Sequence, residues 1–229
     1  MRAILIGYGE IGKAVKKVFG KTHKIDVVAN KDSDLPDQKY YDVMLVAIPY
    51  SDKFVDDIKG YLRYFEVSSI IVFSTTQIGT CAKLGAVHSP VEGKHPDLAA
   101  SISIMPRWIG GHDQMAIDFV KQAGLKVKAV PKAEITEALK LTSTTLYGVN
   151  IEFARYRKSI ADSIGMDFSA FTEFDKDYNE LYKSMGMPQF SRYLLTPPTG
   201  KIGGHCVVPN AKILNEKFPD QFLDKLINQ

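Results

Sequence analysis

The chain is short of cysteine, of long apolar runs and of clustered charge, and each shortage excludes a class of protein. Its two cysteines, Cys81 and Cys206, are too few for a disulfide framework and fit a reducing compartment, so a cytoplasmic protein is expected. No apolar run approaches the ~20 residues of a membrane-spanning helix, so no membrane partner is expected. The net charge of +3 is spread along 229 residues without a basic block, which argues against a dedicated nucleic-acid surface. Internal repeats and low-complexity tracts are missing, and no metal site is expected. The N-terminus runs straight into Ala3-Ile4-Leu5-Ile6, with no charged leader or small-residue cleavage site, so no signal peptide is expected. What remains is the composition of a globular chain with a substantial core: 45% hydrophobic and 24% charged residues, long enough for one large domain or two small ones.

Up to about residue 130, strand and helix signals alternate, the pattern of a parallel sheet covered by helices. Ala3–Ile6 reads as a buried strand. Ile11, Ala14, Val15, Val18 and Phe19 follow at helical spacing, and Gly20 ends that helix. Ile25–Val28 is a second strand, and Asp42–Pro49 (DVMLVAIP) is the strongest. Only about a dozen residues join those two strands, too few for a full crossover helix, so a turn or a very short helix is expected between them. Ser51 or Asp52 is placed to cap the next helix, whose buried face is Phe54, Ile58, Leu62 and Phe65. Ser69–Phe73, Ser101–Met105 and Leu125–Val130 read as further strands, with a helix across Asp113–Ala123.

From Pro131 the pattern changes. Ile135, Leu139, Thr142, Leu146, Val149, Phe153, Tyr156, Ile160 and Ile164 are spaced alternately by three and four, the stripe of one helix of about 34 residues ending at Gly165. Glu134 and Glu137 near its start suit the helix dipole. Such a helix is longer than a small domain can cover, so part of the stripe is expected to meet a second copy in a homodimer. Phe168–Met185 reads as another helix, broken off at Pro197-Pro198-Thr199-Gly200. The expected fold class is α/β: an N-terminal Rossmann domain (a doubly wound parallel sheet) over residues 1–130, followed by a long central helix and a small, mainly helical domain over 131–229 that serves dimerisation and substrate.

Gly7-Tyr8-Gly9-Glu10-Ile11-Gly12 is G-x-G-x-x-G between an apolar strand and an amphipathic helix, the context in which this motif binds a dinucleotide. Gly7 permits the tight turn, Gly9 lets the backbone approach the pyrophosphate, and Gly12 lets helix pack on strand. About twenty residues on, an acid normally takes the ribose hydroxyls of NAD. Here Asn30 occupies that position with Lys31 beside it, a neutral amide and a cation that suit the 2′-phosphate of NADP; Asp32 is the acid if the strand runs longer. NAD and NADP both stay open. Ile48 and Pro49, at the end of the DVMLVAIP strand, and Thr75, after the next strand, complete the expected cofactor site.

Gly200-Lys201-Ile202-Gly203-Gly204-His205-Cys206-Val207-Val208-Pro209 is the second informative stretch. A glycine-rich loop allows close backbone approach by a ligand, and a cysteine thiolate is a strong nucleophile, although a free cysteine is more often a small buried hydrophobe. With this segment, four stretches in order (GYGEIG, the Ser74-Thr75 pair, Pro106-Arg107-Trp108-Ile109-Gly110-Gly111 and IGGHC-x-x-P) resemble the UDP-glucose/GDP-mannose dehydrogenase family, especially its N-acetylhexosaminuronate-forming members. Glu137-Ala138-Leu139-Lys140-Leu141 on the long helix is similar to that family's central helix.

The resemblance implies oxidation of a sugar alcohol to an acid in two hydride transfers, through a cysteine-bound thiohemiacetal and thioester. It implies Cys206 as nucleophile, Lys140 as the cation facing the developing oxyanion, and Thr75 as the residue orienting a water or substrate group. The departures are specific. Thr144 stands where the family has asparagine, Asn210 where it has aspartate, and Val91 where it has glutamate, leaving Glu92 as the candidate for thioester hydrolysis. Family members continue past the cysteine into a second Rossmann-like domain that holds the nucleotide; this chain resembles a truncated form. The function expected is an NAD(P)-dependent oxidoreductase acting on a CH–OH group of a small molecule, a sugar or nucleotide sugar. The alternatives are a one-step hydroxyacid-type dehydrogenase using Lys140, and a non-catalytic dinucleotide-binding regulatory protein.

Overall fold

The structure is a computed structural model; it describes residues 1–31, 33, 35–93, 96–202 and 206–228. The chain divides into two compact units, Met1–Leu141 and Thr142–Gln229. In the first, β1 (Arg2–Ile6), β2 (Lys24–Val28), β3 (Tyr40–Val46), β4 (Glu66–Val72), β5 (Val87–His88), β6 (Arg107–Gly110) and β7 (Val127–Val130) form one sheet in the order β2-β1-β3-β4-β5-β6-β7. Neighbours run parallel except β5 and β6. The chain leaves β1 for β2 and returns to β3 on the other flank of β1. That reversal opens a crevice outside the carboxyl ends of β1 and β3, where ligands bind in open α/β sheets. The described residues between β2 and β3 contain no helix, as so short a connection requires.

Both faces of the sheet are covered. Along β1, Ala3 and Leu5 belong to one core and Ile4 and Ile6 to the other, all at most 1% exposed, so the strand reads as an unbroken apolar run. The first core is closed by α1 (Glu10–Phe19), α3 (Leu98–Ile104) and α4 (Gln114–Gln122), with Phe19 stacked on Phe119 at 5.3 Å. The second is closed by α2 (Phe54–Leu62) through Phe54 and Ile58.

Several local readings change. Ser101–Met105 is not a strand but part of α3: Leu98 and Ile102 are buried and Ile104 is 82% exposed, so four-residue spacing against α1 prevails over the Ser-Ile-Ser-Ile alternation. The DVMLVAIP strand starts earlier and stops at Val46, with Ala47 still donating its N–H to Ile6 O before the chain turns away. Neither Ser51 nor Asp52 caps α2; its N-cap is Lys53, with no side-chain cap bond. Leu62 is only half-buried, and buried Phe65 lies beyond the helix end. Two strands went unread: β5 has two residues, and β6 begins on charged Arg107 directly after Pro106.

The long helix forms as α5 (Ala133–Ser163, 31 residues), and Gly165 follows it with φ +67°. Its faces are inverted relative to its apolar pattern. The bulky residues of the stripe, Ile135, Leu139, Leu146, Phe153, Tyr156, Ile160 and Ile164, are 36% to 64% exposed. The buried face instead carries Ala133, Glu137, Leu141, Thr145, Ala154 and Ala161. The second unit adds α6 (Ser169–Ser184), α7 (Val207–Lys217) and α8 (Gln221–Ile227). There Asp175, 1% exposed, is ion-paired with Arg157 and with Arg192 Nη1 at 3.1 Å.

Candidate functional site

The crevice begins where β1 is gripped on both flanks: Gly7 N donates to Val28 O and Ala47 N to Ile6 O, each at 2.8 Å. Gly7 turns there with φ +95°, and a Cβ on it would stand 2.4 Å from the Ala47 carbonyl oxygen. A Cβ on Gly12 would stand 2.2 Å from Gly7 O. Both glycines are therefore demanded by backbone packing. Gly9, the N-cap of α1, differs: a Cβ there would meet nothing within 4 Å. Tyr8, Gly9 and Glu10 are exposed and Ile11 half-buried around this space, into which a helix N-terminus presents backbone N–H groups. The open space at Gly9 and the backbone donors beside it are suited to an anionic group such as a pyrophosphate.

At the end of β2, Asn30 and Ser33 close a small turn. Asn30 N donates to Ser33 Oγ at 3.1 Å, and that hydroxyl donates to Asn30 Oδ1 at 3.2 Å. Lys31 Nζ donates to Asp57 Oδ1 of α2 at 2.8 Å, a bond that raises the exposed lysine's pKa. Asp32 lies outside the described residues.

Along the carboxyl edge of the sheet the loops are tied together. Ser74 Oγ donates to Ile48 O at 2.7 Å. Pro49 is exposed, and Ile48 and Thr75 are half-buried. Lys140 Nζ lies 3.2 Å from Glu92 Oε2, so the first unit brings together two of the expected catalytic residues. With its side chain 15% exposed, Lys140 is not an ordinary solvated helix lysine. Behind them Arg107, 1% exposed, donates through Nη2 to Pro90 O. Its Nε and Nη1 find no partner among the described residues, and burial lowers its pKa to about 10 against the opposing pull of Glu92.

A buried polar network under this edge was not legible in the sequence. Glu137, fully buried, accepts from Thr76 Oγ1 at 3.1 Å, Gly79 N at 2.6 Å and Cys81 N at 2.9 Å. It is thus a loop anchor rather than only a helix-dipole partner. His88 is fully buried beside it. Its Nε2–H donates to Ser74 O at 3.2 Å, which leaves Nδ1 to accept from Thr136 Oγ1 at 3.0 Å. Burial drives its pKa down to about 4, assisted by Lys140 and Arg107 and opposed by Glu137. Burial also pushes the Cys81 thiol well above its usual range, so Cys81 is a core residue. The only advance signal was the spacing of Ala133, Glu137 and Leu141 by four, which is helical but not apolar.

The remaining expected residues belong to the second unit. Thr144 is half-buried on α5, Cys206 is exposed at the N-cap of α7, and buried Asn210 donates its backbone N–H to Cys206 O at 3.0 Å. Gly203, Gly204 and His205 of the GGHC segment lie outside the described residues. This unit also has a cleft of about 370 Å³ lined by Leu146, Phe153, Arg157, Arg192 and Tyr193, with no expected site residue in it. Among the described residues no group of acidic, histidine and cysteine side chains is arranged to hold a metal, and no helix is long and apolar enough to cross a membrane.

No protein-family profile matches the sequence, and no curated protein matches it. The fold has solved relatives. A UDP-D-ManNAc dehydrogenase from Pyrococcus horikoshii superposes with a TM-score of 0.80 at 16% identity, over 100% of this chain and 68% of its own. A 3-hydroxyisobutyrate dehydrogenase from Mycobacterium tuberculosis, solved with L-serine, gives 0.73 at 12% identity over 99% and 91%. A structure described as Psf3 in complex with NADP+ and 2-OPP gives 0.61 at 16% identity over 99% and 92%. The chain therefore shares the α/β fold of these proteins along its length.

Proposed function

We propose that this chain is an NAD(P)-dependent dehydrogenase that oxidises an alcohol group of a small molecule, a sugar or nucleotide sugar, by way of Cys206. The observation that carries the reading is the open space at Gly9, between the positive-φ turn at Gly7 and the N-terminus of α1, at the switch point of the sheet. That space receives the pyrophosphate. The fold shared with nucleotide-sugar and hydroxyacid dehydrogenases supports the same class of chemistry.

When bound, the nicotinamide supplies the hydride acceptor. The protein's own groups do the rest. Lys140 holds positive charge where the alcohol oxygen becomes an oxyanion, and in a half-dry site such a charge acts with little screening. Glu92, paired with Lys140, activates the water that releases product. Cys206 attacks the aldehyde stage, and Thr75 orients a water or the substrate. Thr144 and Asn210 take the positions next to Lys140 and Cys206 that the family fills with stronger polar groups, so hydrolysis is the slow step. Lys31 and Asn30 favour the 2′-phosphate of NADP, and Asp57 supplies Lys31 with a counter-charge when NAD is bound. The exposed apolar face of α5 is covered by the same face of a second copy: a helix of about 45 Å with a neutral stripe is self-complementary under two-fold symmetry. Free cysteines and a small-molecule substrate suit a cytoplasmic enzyme.

A one-step reading has its own support, because Lys140 and Glu92 together form an acid/base pair that needs no thiol. Cofactor-reduction assays on nucleotide sugars and on simple hydroxy acids, with wild type and Cys206→Ser, decide between them. Acid formation lost in Cys206→Ser, with slow alcohol oxidation retained, is the result expected. Equal turnover of hydroxy acids by both proteins favours the one-step reading, and tight cofactor binding without turnover favours a regulatory role. Gly9→Asp is expected to abolish cofactor binding; unchanged affinity removes the dinucleotide reading altogether.

A further inference from the structure

We infer that Glu137 is a positioning residue for this reaction: its buried carboxylate clamps the loop from Ser74 to Cys81 so that Thr75 meets the nicotinamide half of the dinucleotide in one fixed attitude. The inference rests on the dinucleotide reading above. Burying a carboxylate is costly, and it is offset only when several donors converge on it. Here three do, one hydroxyl and two backbone N–H groups, all from the loop after β4. A carboxylate can only accept, so it forces those donors to one place. A structural filler for a helix start would not need a charge there.

What the clamp holds is the evidence for its purpose. The end of β2 takes the adenine ribose and the loop after β1 takes the pyrophosphate. The nicotinamide half must then extend across β3 toward β4, on the far side of β1 from β2. Thr75 stands in the loop just beyond β4, half-buried between two anchored neighbours. Ser74 is fixed through Ile48 O and through His88, and Thr76 through Glu137. Glu137 also lies one turn before Lys140 on α5, and Lys140 reaches Glu92. One turn of a helix thereby sets both the Thr75 loop and the reactive lysine.

The test is Glu137→Gln, which replaces one carboxylate oxygen with an NH2 group that cannot accept from a backbone N–H. Amide hydrogen exchange at Gly79 or Cys81 is expected to quicken by about tenfold or more, the loss of one buried bond, while Leu5 and Leu45 keep wild-type protection. Reduced cofactor is expected to bind about tenfold more weakly, with ADP-ribose, which lacks the nicotinamide, unchanged. Glu137→Asp, which keeps the carboxylate on a shorter stem, falls between. If Glu137→Gln does not fold, Thr76→Val removes one donor and gives the same pattern in smaller measure. Wild-type exchange at Gly79 and Cys81, or equal weakening of both ligands, overturns the inference. If the wild-type protein binds neither ligand, the dinucleotide reading fails and takes the positioning role with it, while the exchange rates still decide whether the clamp exists.

Discussion

Helices α1 and α5 follow the same spacing rule and end in opposite situations. In α1 the apolar positions Ala14, Val15, Val18 and Phe19 are the buried ones, packed on the sheet of the first unit. In α5 the bulky residues of the stripe are the exposed ones, and the buried face is mostly small and polar residues, with Leu141 and Ile151 as its large apolar members. A helix buries whichever face its own chain can cover. For α1 a sheet is at hand. For α5 the described residues cover chiefly the narrow face, where Glu137 and Thr136 bind loops and Gly148 admits Val207 closely. Most of the bulky apolar stripe stays exposed, although Leu146 and Phe153 line a cleft with Arg192 and Tyr193.

The largest expected effect breaks that contrast at α5. Phe153→Glu together with Tyr156→Glu puts two charges on the stripe, which should convert a dimer into a monomer and halve the mass seen by light scattering at micromolar concentration. A wild-type chain that is already monomeric there shows that a second copy does not cover the stripe. Phe19→Ala tests the other side. Phe19 is fully buried among Phe73 and Phe119, so its loss should cost about 3–5 kcal/mol in denaturant unfolding, whereas Phe153→Ser, at a 60% exposed position, should stay within about 0.5 kcal/mol in the dilute monomer. Similar losses at both sites would mean that α5 is covered within the chain after all.

Acid sharpens the comparison through the first unit's interior. An unfolded His88 takes up its proton near pH 6.5, while the folded one resists until about pH 4. Between those values the unfolded state holds more protons, so stability rises with pH and is lost as pH falls. The loss should be on the order of 3 kcal/mol across the window, followed by unfolding of the first unit at pH 7 and pH 4.5. A flat profile would show that His88 is not held neutral. The smallest effect is expected at Asp113, whose carboxylate caps α4 by accepting from Ala116 N at 3.0 Å. Asp113→Ala should cost about 1 kcal/mol, with cofactor affinity untouched; weakened cofactor binding would show that α4 reaches the crevice.

Most of the first unit was legible because its signals are local. The buried strands are continuous apolar runs, and the glycine-rich turn from Gly7 to Gly12 joins strand and helix within one short segment. Ser101–Met105 was misread because two periodicities fit five residues equally well, and only the presence of α1 selects the helical one. Among the candidate site residues, Lys140 and Glu92 were named separately in the sequence, and their approach to 3.2 Å required the fold. Arg107 was visible only as part of a motif; its burial behind Pro90 follows from β6 running antiparallel to β5.

Short-range spacing accounts for the alternation of strands and helices, the turn that Gly7 allows, the length of α5 and the placing of Cys206 in a glycine-rich segment. Those depend on residues a few positions apart, whose spacing is set by the backbone's own periods. Long-range packing sets which face of α5 is covered, which histidine is kept neutral and which glutamate becomes an anchor. Glu137 meets its three donors across 56 to 61 residues of chain. No periodicity reports such a meeting, because a buried charge is tolerated only where distant segments bring their donors to it.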